Sequence, residues 1–142
     1  MTEKILVPTD GSPQSDTALE YALEEFAEQN ITLLNVIDPV DAGYSAPVGI
    51  PGGSEEWFEN AKENSEAMFE EAQTVADDYG VTLESATEMG RPAQTIVEFA
   101  EDEGFDQIVM GSHGRSGVSR ILLGSVAETV VRRATVPVTV VR

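Results

Sequence analysis

The sequence predicts an α/β protein built on a parallel sheet, and three observations carry that prediction. Its strand candidates are short runs of continuous apolar residues, such as Ile5-Leu6-Val7, the signature of strands covered on both faces. Between them lie segments with helical spacing, giving the order β-α-β-α-β-α-β-α-β, which implies right-handed crossovers with helices on both faces. The third is a glycine-rich stretch, Met110-Gly111-Ser112-His113-Gly114-Arg115-Ser116-Gly117, that follows a buried strand directly. In parallel sheets ligands bind beyond the carboxyl ends of the strands, where strand order reverses.

Each element has its own grounds. Lys4–Pro8 is the first strand, and Thr9-Asp10-Gly11-Ser12 turns the chain into a helix with Ser12 as N-cap and Pro13 in the first turn. That helix buries Ala18, Leu19, Ala22, Leu23, Phe26 and Ala27, and Asn30 ends it. Ile31–Ile37 is the second strand. Residues 38–53 then hold Pro39, Pro47, Pro51, Gly43, Gly49, Gly52 and Gly53, a connection long enough for a lid or recognition loop, or else a plain surface linker. Ser54 caps a long helix to about Tyr79, with a stripe through Trp57, Phe58, Ala61, Met68, Phe69, Ala72, Val75, Ala76 and Tyr79 that reads as core. Gly80 closes it.

Val81–Met89 is the third strand, half-exposed by its alternation. Gly90-Arg91-Pro92 opens a helix that buries Ile96, Val97 and Ala100 and ends at Gly104. Strand four is Gln107–Met110, the last helix is Ser125–Arg133, and the final strand is Val136–Val141. Pro137 cannot donate to a ladder, which places that strand at an edge.

With 142 residues and 41% hydrophobic side chains the chain is one domain with a real core. No apolar run approaches the roughly 20 residues that cross a bilayer. Met1-Thr2-Glu3-Lys4 leads straight into a strand, so no secretory leader is expected, and the lack of cysteine fits a cytoplasmic location. The 26 acidic and 8 basic residues give a net charge of −18, which argues against nucleic acid and anionic membranes as partners. That charge is uneven. Residues 1–106 carry a net −22, and residues 107–142, with the glycine stretch, carry +4. The reversal favours an anionic ligand there, and the acidic, lysine-poor remainder matches proteins of salt-accumulating halophiles.

Glycines let backbone N–H groups turn inward at positive φ and let an anion approach without a Cβ in its path. Ser125 sits where the unpaired N–H groups and positive dipole end of a helix would meet that anion. Ser125-Val126-Ala127-Glu128 also fits an ordinary capping box, so both readings stay open on these residues alone. The spacing Gly111-x2-Gly114-x9-Gly124-Ser125 is more specific. It resembles the ATP-binding signature of the universal stress protein (UspA-like) family, and the resemblance runs from Ile5-Leu6-Val7-Pro8-Thr9-Asp10-Gly11-Ser12 to Val136-Pro137-Val138-Thr139-Val140-Val141.

That resemblance implies the strand order 3-2-1-4-5, which brings Asp10 and Gly111 together at the switch point. It implies ATP, with Mg2+ or Mn2+, as the ligand. Pro8, Thr9 and Asp10 would face the nucleoside, and the Val36 backbone would meet the adenine. Met110, Gly111, His113 and Gly114 would surround ribose and phosphates, with Arg115 beside them. Gly124, Ser125, Val126 and Ala127 would hold the phosphate chain, Ala127 through its N–H alone. Asp10 has a structural alternative as an Asx turn, and His113 as a solvent-exposed turn residue. The resemblance also implies a homodimer through Val136–Val141.

Enzyme signatures are sparse. There is no G-x-x-x-x-G-K-[ST], no G-x-G-x-x-G, no H-E-x-x-H and no G-x-S-x-G, and His113 is the only histidine. The expected function is an ATP-binding regulatory module in stress response. A relative acting by protein contact or phosphorylation without nucleotide, and a slow ATPase, are the alternatives.

Overall fold

The computed structural model describes residues 2–39, 53–112 and 123–142. The five strands are β1 (Lys4–Pro8), β2 (Asn30–Ile37), β3 (Glu84–Met89), β4 (Gln107–Gly111) and β5 (Val138–Val141). Among the described residues the helices are α1 (Pro13–Glu25), α2 (Gly53–Asp77), α3 (Pro92–Asp102) and α4 (Ser125–Arg133). All strand pairs are parallel, in the order β3-β2-β1-β4-β5. The expected five-stranded 3-2-1-4-5 sheet is therefore present.

Period-two alternation along the central strands divides the core into two layers. Ile5, Val7, Ile31, Leu33 and Val109 pack on one face against Ala18, Leu19, Ala22 and Leu23 of α1 and Ala76 of α2. Leu6, Leu34, Ile108 and Met110 pack on the other against Ile96, Val97 and Ala100 of α3 and Ala127 and Val130 of α4. Helices thus cover both faces.

Boundaries differ from expectation where local chemistry intervenes. Helix α1 stops at Glu25 rather than near Asn30, and the Asn30 N–H already bonds the Glu3 carbonyl at 3.0 Å as β2 begins. The long helix starts at Gly53, so Ser54 lies inside its first turn, and it ends at Asp77. Its outer end is less buried than the stripe predicts: Val75 and Tyr79 are 38% and 39% exposed.

Strand β3 begins at Glu84, not Val81, because a side chain takes over the approach. Gln73 Nε2 donates to the Val81 carbonyl and Gln73 Oε1 accepts the Leu83 N–H, both at 2.9 Å. Gly80 and Gly104, at φ 70° and 69°, end α2 and α3 as expected. In each case the next residue donates five back, Val81 to Ala76 and Phe105 to Ala100, which closes the last turn.

Strand β5 lies at an edge, as expected, but starts at Val138. Pro137 precedes it and contributes its carbonyl, which accepts the Ile108 N–H at 2.9 Å. No helix among the described residues is long and apolar enough to cross a membrane.

Candidate functional site

The site is assembled where β1 and β4, adjacent in the sheet, end and feed helices on opposite faces. The register pairs Leu6 with Ile108, so Pro8 comes level with Met110 two residues on.

At the end of β1 the turn is held by side chains. The Thr9 N–H donates to the Leu34 carbonyl at 2.8 Å, one step past the last β1–β2 register pair, Pro8 and Leu34. Asp10 Oδ1 accepts the Ser12 N–H at 2.9 Å, and Gly11 between them adopts φ 78°. Ser12 caps α1, its hydroxyl accepting the Ser15 N–H at 3.2 Å. The Ser15 hydroxyl donates to the Ser12 carbonyl and lies 3.2 Å from Thr9 Oγ1. Asp10 is thus the Asx turn that local chemistry allows, and only its Oδ1 is committed among the described residues. Nearby Asp16 has its carboxyl pushed above the usual range by burial, then by the charges of Glu20, Glu71 and Asp10.

At the end of β4 the means are different. Neither Gly111 nor Gly124 has positive φ, so the expectation of left-handed turns fails at both. A Cβ on Gly111 would lie 2.7 Å from the Gln14 carbonyl oxygen and 2.8 Å from its carbon. Gly111 is therefore glycine because the first turn of α1 packs directly on it. The Ser112 N–H donates to Val141 at 3.0 Å, and the Gly124 N–H returns to the Ser112 carbonyl at 2.7 Å. This last bond draws the start of α4 against the end of β4.

The capping box that stood as the alternative reading of Ser125 does not form. Gly124 is the N-cap, with no side-chain capping bond, and Ser125 is the exposed first helical residue. Glu128, which would have bonded back, instead pairs with Arg132 at 2.8 Å, one turn on. The competing use of Ser125 is thereby removed, and the N-terminal amides of α4 have no side-chain partner of that kind. Met110 and Ala127 are buried and Val126 packs against the same core, so these three present only backbone to the site.

Val36 lies one strand away. Leu34 turns its carbonyl toward β1, so the Val36 backbone points the same way two residues on, where β1 has already turned off. His113, Gly114 and Arg115 lie outside the described residues. A separate cleft of about 280 Å³, lined by Ile37, Phe58, Lys62, Thr87 and Met89 among others, sits between β2, β3 and α2 and includes none of the predicted residues.

Two polar residues of this region have no counterpart in the sequence reading. Asn35 and Ser65 form a relay to Thr9: Ser65 Oγ donates to Asn35 Oδ1 at 2.5 Å, and Asn35 Nδ2 donates to the Thr9 carbonyl at 2.8 Å. The signal was available, since Asn35 breaks an apolar strand and Ser65 fills the gap in the helical stripe between Ala61 and Met68.

A parallel sheet whose neighbouring strands end at a switch point, with a helix N-terminus drawn against one of them, defines the doubly wound class that binds ligands at its strand ends. Within that class, the chain belongs to the universal stress protein family, whose model matches residues 1–142. It is 36% identical to universal stress protein MJ0577 of Methanocaldococcus jannaschii, covering 100% of this chain and 96% of the relative. It is 39% identical to MJ0531 of the same organism, covering 99% and 82%. The solved structure of MJ0577 superposes with a TM-score of 0.84, over 99% of this chain and 96% of that one. A universal stress protein solved in complex with cAMP is 26% identical with a TM-score of 0.68, covering 99% and 96%.

Proposed function

We propose that this protein is an ATP-binding universal stress protein, a regulatory module whose conformation or contacts respond to bound nucleotide. The observation that carries the reading is the Gly124 N–H···Ser112 carbonyl bond, which draws the amide-bearing start of α4 to the end of β4, with the Asp10 turn after the adjacent strand β1 and the Val36 backbone on the strand beyond that. A phosphate chain suits the first, a nucleoside the other two. The relative in complex with cAMP supports an adenine nucleotide.

Pro8, Thr9 and Asp10 face the nucleoside and the Val36 backbone reads the adenine. Met110, Gly111, His113, Gly114 and Arg115 surround ribose and phosphates, and Gly124 to Ala127 hold the phosphate chain. Among the described residues no cluster of three or more His, Cys, Asp or Glu could hold a metal. A Mg2+ or Mn2+ ion would be held chiefly by the phosphates of the nucleotide, with Asp10 as the carboxylate that the proposed site offers it. The sequence has no phosphate-loop lysine motif, and the proposed site residues include no carboxylate beside Asp10 to serve as a dedicated base, so ATP is bound with hydrolysis far below about one turnover per second, the low end of ordinary enzymes.

Mass spectrometry of nucleotide released on denaturation, and calorimetric titration with ATP and Mg2+, test this. Gly124→Val should abolish binding while the protein stays folded; equal affinity in variant and wild type would sink the assignment.

Two further parts of the proposal rest on composition and topology. The protein is a cytoplasmic homodimer joined through Val136–Val141, since β5 is a sheet edge carrying half-buried valines. Light scattering at micromolar concentration should give twice the chain mass. The acidity serves a salt-rich interior, so the melting temperature should climb from low to molar KCl; a flat profile would remove that reading.

A further inference from the structure

Polar groups are costly in a core unless bonded, so a buried amide and hydroxyl on facing elements call for a reason. Ser65 is 1% exposed, at helical spacing with the half-buried Ala61, Met68 and Ala72 of α2. Its single proton has two acceptors, Asn35 Oδ1 at 2.5 Å and the Ala61 carbonyl at 3.1 Å, and the shorter contact takes it. Donating to Oδ1 settles which way the amide faces, because the hydroxyl proton then meets oxygen and the NH₂ group must face the other way. There it meets the Thr9 carbonyl.

The consequence is local and geometric. Thr9 is gripped twice by β2, at its N–H by the Leu34 carbonyl and at its carbonyl by the Asn35 amide. The peptide that follows is planar, so fixing the Thr9 carbonyl fixes the Asp10 N–H on the opposite side and the direction in which Asp10 leaves the sheet.

We propose that Asn35 is a positioning residue for Asp10, and that Ser65 holds the Asn35 amide in the only orientation that does this. Nucleotide affinity is then coupled to α2, a helix that supplies none of the proposed ligand contacts. The coupling to affinity rests on the nucleotide reading above; the effect on the turn does not.

The test uses Asn35→Leu, Ser65→Ala, the double variant and the conservative Ser65→Thr, with ATP and Mg2+ as the probe. Losing one or two hydrogen bonds of positioning should weaken binding by roughly fivefold to tenfold in each of the first two. The double variant should bind no worse than Asn35→Leu alone, and Ser65→Thr should return to within about twofold of wild type.

In the ligand-free protein, Ser65→Ala should move the Asp10 and Gly11 amide resonances, with far-UV circular dichroism unchanged. Wild-type affinity in both single variants with those resonances unmoved would overturn the proposal, as would fully additive losses in the double variant. Should wild type bind no ATP, the nucleotide reading falls, and the resonances alone decide the relay: movement supports it and stillness overturns it.

Discussion

The ends of β1 and β4 stand side by side and are held by opposite means. After β1 the chain is fixed by side chains: Asp10, Ser12, Ser15 and Thr9 bond one another, and Asn35 reaches in from β2. After β4 the bonds that join Ser112 to Val141 and to Gly124 run backbone to backbone, and the critical feature is a missing side chain at Gly111. The difference teaches how each half of the site tolerates change. A network of several bonds loses stability in portions, whereas a backbone packed on a backbone has no flexible atom to yield.

The largest effect is therefore expected at Gly111→Ala. Its methyl group would meet the Gln14 backbone at 2.7 Å, so helix and strand must part. Urea denaturation should show a loss of roughly 1–3 kcal/mol, the range for overpacking. Full stability in this variant would erase the distinction between the two strand ends.

Ser12→Ala probes the other end. It removes the α1 cap but leaves the Asp10 and Asn35 bonds in place, so the same measurement should show a loss of about 1 kcal/mol. A loss as large as that of Gly111→Ala would mean the turn is no network at all.

The smallest effect sharpens the picture electrostatically. The Asp16 carboxyl is raised in the fold by burial first, then by Glu20, Glu71 and Asp10. A raised pKa means that the fold favours the protonated form, so this contribution is full at low pH and is lost as pH rises through the folded value. Asp16→Asn should accordingly stabilise at pH 7 and make no difference below about pH 4, where the unfolded aspartate also takes up its proton. The gain should stay within about 0.5 kcal/mol, because that burial is only partial and the water still in contact with Asp16 screens it. Thermal melts at the two pH values would decide, and a gain at acid pH alone would reverse the sign argued here.

Most of the fold was legible because it rests on local patterns. Continuous apolar triplets such as Ile5-Leu6-Val7 announce central strands, and Ser12-Pro13 and Gly80 mark where helices begin and end. What stayed hidden depended on partners distant in sequence. Nothing near Val81 tells that Gln73 will occupy its backbone and delay β3 by three residues. Nothing near Gly111 tells that Gln14 will lie on it, so its glycine was credited to an anion when the packing of α1 already requires it. The same applies to Ser125: the capping-box letters are present, yet Glu128 finds Arg132 one turn on. The family spacing yields the proposed site as a set of positions, but the Asn35–Ser65 relay needed α2 to be seen lying over β2.

The bond between Gly124 and Ser112 has a further consequence, for what can be built into this chain. It brings the two ends of the intervening stretch together on the scaffold side, so positions 112 and 124 act as a socket with fixed terminals. The entropy of closing a segment between joined ends grows only with the logarithm of its length, about 0.6 kcal/mol for each doubling. The entropy of closure between positions 112 and 124 thus depends only weakly on how many residues separate them, provided that both terminals keep their backbone bond.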